Sequence, residues 1–127
     1  MMLKALNPPH EPVSAAYSQA IEATGASRML FISGQVGVSS EGVVPPTVAE
    51  QTRIATGRVR DLLEQAGMTT ANLVKLTIYL TDAAHVPEFV AAAGGSVTGT
   101  PPAMTLLIVK ALAVPSLLVE IEGIAVA

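Results

Sequence analysis

The stretch from Thr100 to Val126, TPPAMTLLIVKALAVPSLLVEIEGIAV, constrains the fold of this chain more than any other. It holds two apolar runs separated by Ala113-Val114-Pro115-Ser116. Proline fixes φ and lacks an N–H, so Pro115 marks a break between the runs and not the interior of a central strand. In the first run Ala103, Thr105, Leu107 and Val109 fall on one face, and Met104, Leu106, Ile108 and Lys110 on the other. Both faces are mostly apolar, which predicts a strand covered on both sides. The second run alternates more clearly, with Val119, Ile121 and Gly123 opposite Leu118, Glu120, Glu122 and Ile124. Two carboxylates thus share a face, roughly 6–7 Å apart along the strand. Carboxylates are rarely buried unless paired, so Glu120 and Glu122 are expected to meet water, a cation, a subunit interface or a site. On spacing alone, an exposed face that carries charge explains them better than an acid/base pair.

The rest of the chain supplies partners for these strands. Residues 1–15 carry Pro8, Pro9 and Pro12 and read as an extended lead-in that adds little core. Tyr17–Thr24 and Arg28–Ser33 read as strands, and the short Gly25-Ala26-Ser27 turn between them predicts an antiparallel hairpin. Gly34-Gln35-Val36-Gly37 suits a bulge or a backbone-lined pocket. A loop follows from Ser39 to Pro46, in which Val43-Val44 adds a short strand. Thr47-Val48-Ala49-Glu50 has the form of a capping box. Behind it Ala55, Val59, Leu62, Leu63 and Ala66 form one apolar helical stripe that closes at Gly67. Val74, Leu76, Ile78 and Leu80 alternate with Lys75, Thr77 and Tyr79 as a half-buried strand. A second helix starts at Asp82, tolerates Pro87 in its first turn and weakens at Gly94-Gly95. The whole is one domain, residues 1–127: an α/β chain whose two helices cover one face of a single mixed sheet.

Composition narrows the function by exclusion. Only 13% of the residues are charged while 50% are hydrophobic, too few charges to cover the outside, so apolar surface is expected to be buried between copies. The net charge is −3, and the one local basic group, Arg53, Arg58 and Arg60, reads as a solvated helix face. Neither a basic stripe nor stacking aromatics is present, which argues against nucleic acid. Without cysteine there is no disulfide, thiol nucleophile or thiolate metal site. His10 and His85 are isolated, so no metal and no cofactor is expected. No apolar run approaches the roughly 20 residues that span a bilayer; the expectation is a cytoplasmic protein without a membrane partner.

Several segments, taken in order, resemble the RidA/YjgF family, whose members have also been labelled L-PSP endoribonucleases. Ala16-Tyr17-Ser18-Gln19-Ala20 resembles the family's GPYSQA segment, with Ala16 in place of the proline. Phe31-Ile32-Ser33-Gly34-Gln35-Val36 resembles its SGQ motif, and Leu73 to Asp82 its third-strand signature. Pro102-Ala103, followed by Val119-Glu120-Ile121-Glu122-Gly123-Ile124-Ala125, is similar to its closing PAR…(I/V)E(I/V)EAIA pattern. The resemblance implies a chorismate-mutase-like fold and a homotrimer built around a barrel-like centre, with clefts between subunits. In active members such clefts hydrolyse enamines and imines such as 2-aminoacrylate to 2-keto acids and ammonia. It also implies Glu120 as the group that positions water, and Tyr17, Ser33, Gly34, Val90, Met104, Thr105 and Leu106 as the binding wall.

The resemblance breaks at one decisive place. The family's carboxylate-gripping arginine is here Met104, which has neither charge nor donor. Val90 stands where many members have asparagine. Arg28 starts a strand whose far end holds Ser33, and Lys110 lies about 20 Å along the strand from Met104, so neither is expected to substitute. The leading expectation is therefore a trimer that binds a small neutral, cationic or more apolar metabolite, with little or no activity on 2-aminoacrylate. An enamine/imine deaminase acting on a different imine through Glu120 is the alternative, and an endoribonuclease a distant third.

Overall fold

The helix that the capping signal announces is α1, Val48–Gln65, in the computed structural model, which describes all 127 residues. Thr47 is its N-cap, and its hydroxyl accepts from the Glu50 N–H at 3.2 Å. The return half of the box differs from expectation. The Glu50 carboxylate accepts from the Thr47 hydroxyl at 3.0 Å, and a carboxylate from elsewhere, Glu88, takes the Ala49 N–H at 2.9 Å. An acid at a helix N-terminus meets both unpaired N–H groups and the positive end of the dipole. Ala55, Val59 and Leu63 bury the expected stripe, Leu62 and Ala66 flank it, and Gly67 follows with φ of 70°.

The sheet beneath has four strands in the order β3-β6-β4-β5. These are β3 (Met29–Val36), β4 (Leu73–Leu80), β5 (Ala103–Ile108) and β6 (Val119–Val126). β6 pairs antiparallel with both β3 and β4, while β4 and β5 run parallel across the crossover that contains α2, Val86–Ala93. The crossover begins with a 3₁₀ turn, Ala83–His85, which Asp82 caps by accepting the Ala84 N–H at 2.9 Å. α1 packs on β3, β6 and α2, so both helices lie on the same face of the sheet. The mixed sheet with its two helices is the expected architecture.

Five expectations need correction. The lead-in, residues 1–15, holds a strand, β1 (Met2–Leu6), which pairs antiparallel with β2 (Ala20–Thr24) as a separate two-stranded sheet. Its prolines begin only at position 8, so every N–H from residue 2 to 6 is free to pair. The predicted hairpin between β2 and β3 does not form. β2 offers only Ile21 as a large apolar side chain, whereas β6 offers Val119, Ile121 and Val126 to the core. The terminal strand therefore captures β3, with Ser27 and Arg28 N–H groups both donating to the Ala127 carbonyl at 2.8 and 3.0 Å. Burial outweighs nearness along the chain.

Val43-Val44 forms no strand; Ser39 folds back on Val43 through two hydrogen bonds, helped by the positive φ of Gly42. β4 carries a register shift between Leu73 and Lys75, so Leu73 takes the buried place expected for Val74. β5 ends at Ile108, short of Lys110, and is an edge strand. Its Leu107 is 47% exposed, so a single chain does not cover both of its faces.

A polar pin completes the core. Gln51, fully buried, donates to the carbonyls of Pro45 and Ser116 at 2.8 and 3.0 Å and accepts from the Leu118 N–H at 2.8 Å. Gly37 lies so close that a Cβ there would overlap the Gln51 backbone. The glycine is needed for close approach, since α1 passes directly over the end of β3.

Candidate functional site

Two groups of site candidates form, at opposite edges of the sheet. The first gathers around Glu120. Between Ile32 and Gln35 the pairing of β3 with β6 slips, so Ser33 and Gly34 form a bulge. The Glu120 carboxylate lies against Gly34, and a Cβ at that position would overlap it. Gln35 steadies the bulge: its amide donates to the Ser33 carbonyl at 3.1 Å, and its Oε1 accepts from Arg58 Nε at 3.0 Å. Arg58 also donates to the Val38 carbonyl at 3.3 Å, so part of the basic group read as a solvated helix face is engaged with this loop. Glu120 itself is half-buried and takes part in none of the protein's side-chain hydrogen bonds. A carboxylate with free lone pairs beside an irregular backbone segment is well suited to hold water.

Glu122, on the same face, is committed differently. It accepts a short hydrogen bond from the Tyr79 hydroxyl. That bond, with help from desolvation and the negative charges of Glu122 and Glu120, holds the Tyr79 phenol above its ordinary value of 10.0. Because the folded value is raised, the stabilisation is complete below the unfolded value and is lost as pH rises through the folded one. An absorbance titration of tyrosinate is expected to show one phase above the ordinary range, absent in Tyr79→Phe. The two neighbouring carboxylates are thus distinct: Glu122 ties two strands together and Glu120 is left free.

The second group gathers around β5. Ser18 bridges to Ala103, donating its N–H to the Pro102 carbonyl at 3.0 Å and its hydroxyl to the Pro101 carbonyl at 2.6 Å. Tyr17, 36% exposed, is thereby held at the start of β5. Met104 pairs in register with Leu76, whose side chain is buried on the helix side, so Met104 and Leu106 face the helices. Thr105 points the other way, exposed, and accepts from Lys75 Nζ at 2.8 Å. Met104 and Val90 meet in a cavity of about 250 Å³ between the helices and the sheet.

One chain does not bring the two groups together. β3 and β5 are the two edges of the sheet, and Glu120, in register with Tyr79, lies on the face opposite Met104. Only a second copy could set one group across from the other. Arg28, not expected to substitute at Met104, is occupied by the Ala66 carbonyl at 2.8 Å, whereas Arg60 of α1, read from the sequence only as part of a solvated helix face, lines the same cavity as Met104. Helical spacing carried a trace of this, since Arg60 follows Val59 of the buried stripe and lies one turn beyond Thr56, another lining residue. No helix is long and apolar enough to cross a membrane.

The chain is similar to several known proteins. The family described as Endoribonuclease L-PSP matches residues 8–127. A RutC family protein of Aquifex aeolicus is 40% identical over 82 residues, 63% of each chain. Protein DfrA of Myxococcus xanthus is 33% identical over 130 residues, covering 99% of this chain and 97% of that one. The 2-iminobutanoate/2-iminopropanoate deaminase of Rattus norvegicus is 39% identical over 69 residues, 53% of this chain and 48% of that protein. The chain thus spans about half to two thirds of the length of most of these relatives. Among solved structures, the Rid family protein YyfB of Yersinia pestis superposes with a TM-score of 0.90 at 30% identity over 100% of both chains. An L-PSP protein of Entamoeba histolytica gives 0.73 at 30% identity, over 99% of this chain and 100% of that one.

Proposed function

The chain belongs to the endoribonuclease L-PSP family, the RidA/YjgF proteins, and on that premise we propose that it works as a homotrimer with its ligand clefts between copies. The outer sheet face supports assembly: Phe31 is 69% and Met29 60% exposed, a waste of apolar area unless another copy covers them. Each cleft then sets the β5 edge of one copy, with Tyr17 and Met104, across from the Ser33-Gly34 bulge and Glu120 of the next. The single observation that carries the reading is the Glu120 carboxylate, held against the Gly34 backbone with its lone pairs unclaimed.

The chemistry such a cleft supports is hydrolysis of an imine. Glu120 orients a water molecule and accepts a proton as its oxygen adds to the imine carbon. Protonation of the nitrogen of the resulting carbinolamine lets the C–N bond break, releasing ammonia and leaving a carbonyl. The usual small 2-imino acids suit this cleft poorly, because Met104 offers their carboxylate no donor. Loss of one charge-assisted contact costs about 1.5–3 kcal/mol, or roughly 10- to 150-fold in binding. Substrates with a larger apolar side chain fit the methionine and Val90 better.

Ammonia release from freshly generated 2-aminoacrylate, compared with release from imines of longer aliphatic 2-keto acids, tests this. The longer substrates are expected to turn over at least tenfold more efficiently, and Met104→Arg to shift the preference back toward 2-aminoacrylate. Efficient wild-type turnover of 2-aminoacrylate, or no change on Met104→Arg, would reject the assignment of Met104.

A further inference from the structure

The cavity enclosed by a single chain between α1, α2 and the sheet carries an inference separate from the chemistry at Glu120. Its walls are mostly apolar, with Leu73, Leu76, Ile78, Phe89, Met104 and Ile121 among them. Arg60 is the only charged residue that lines it. The arginine is exposed, so it stands where the cavity meets solvent, and its guanidinium makes no hydrogen bond within the chain, unlike those of Arg28 and Arg58. Ser96, at the same cavity, likewise has no partner for its hydroxyl. The Thr56 hydroxyl donates to the Arg53 carbonyl and the Thr70 hydroxyl pairs with that of Thr98, which leaves Arg60 and Ser96 as the unpartnered side-chain donors at the cavity.

We propose that this cavity binds the aliphatic chain of a monocarboxylate, with Arg60 holding the acid group at the mouth. An apolar lining selects an apolar chain, because each buried methylene is worth about fourfold in affinity. A lone, unpartnered guanidinium selects an anion, and its planar fork fits a carboxylate through two parallel hydrogen bonds. Drug-sized ligands occupy about 300–1,000 Å³, so a cavity of about 250 Å³ suits a compact acid and not a lipid with a long tail. Cationic amphiphiles are excluded by Arg60, and dicarboxylates by the absence of a second cation at the far end.

Calorimetric titration of the intact protein with acetate, butanoate, hexanoate and decanoate, and with hexanamide, provides the test. Affinity is expected to rise by about fourfold per methylene from butanoate to hexanoate and to level off by decanoate. Hexanoate is expected to exceed hexanamide by at least tenfold. Arg60→Gln should remove that excess without altering hexanamide binding, and Arg60→Lys should restore part of it. Absence of a chain-length dependence, or an unchanged hexanoate affinity in Arg60→Gln, would overturn the proposal. Glu120→Gln separates it from the hydrolytic reading, since hexanoate binding should persist in that variant whether or not turnover depends on Glu120.

Discussion

Glu120→Gln is expected to lower imine turnover by about 10²- to 10⁴-fold, the usual contribution of a positioned general base, with the melting temperature unchanged. The side chain is isosteric, and Glu120 makes no side-chain hydrogen bond that the amide would lose. The loss should fall on kcat more than on KM, because a group that acts on water contributes mainly in the transition state. Gly34→Ala should reproduce part of it, since the new methyl group would push the carboxylate off the bulge. Glu122→Gln is the control. It disturbs the Tyr79 contact on the same strand face but is expected to leave turnover within a few-fold of wild type. Equal losses in the two variants would mean that the strand face as a whole, and not Glu120, supports activity.

The largest expected effect on stability comes from Gln51→Leu. Leucine fits the volume, but the Leu118 N–H and the Pro45 and Ser116 carbonyls would each lose a buried partner. An unsatisfied buried group costs about 1–3 kcal/mol, so the three together should cost at least 3 kcal/mol. For a domain of this size that lowers the melting temperature by roughly 10 °C or more. Gln51→Glu makes a sharper comparison, because it keeps the acceptor for Leu118 while removing the two donors. Thermal denaturation at fixed protein concentration checks both. A shift below about 2 °C in Gln51→Leu would mean that water or a rearranged loop satisfies the three groups instead.

Elements defined by their own periodicity were legible in the chain. The α1 stripe, the capping role of Thr47, the alternation of β6 and the break at Pro115 all follow from local pattern, and the structure has them at those places. Strand pairing was not legible. β2 and β3 are neighbours in sequence with a short turn between them, yet each pairs elsewhere, because the larger apolar area of β6 lay over 80 residues away. The bulges at Ser33-Gly34 and at Leu73–Lys75 depend on which strand lies opposite, so alternation within one segment could not reveal them. The places of Gln51 and Arg60 were not legible for a related reason. A glutamine inside an apolar stripe and an arginine beside one read as ordinary surface residues until the loop or cavity they face is known.

Residue order alone determined the set of helices and most strands, the shortage of charge that leaves an apolar face to be covered, and the family. Those properties are local or compositional, and they survive in an unfolded chain. Only the tertiary structure decided that Met104 and Glu120 lie on opposite faces, that Glu122 is tied to Tyr79 while Glu120 is free, and that Arg60 stands at the mouth of the cavity behind Met104. Each of these depends on pairing between segments far apart in sequence. The choice of strand partner is made by the total apolar area buried, a sum over the whole molecule that no single stretch of residues contains.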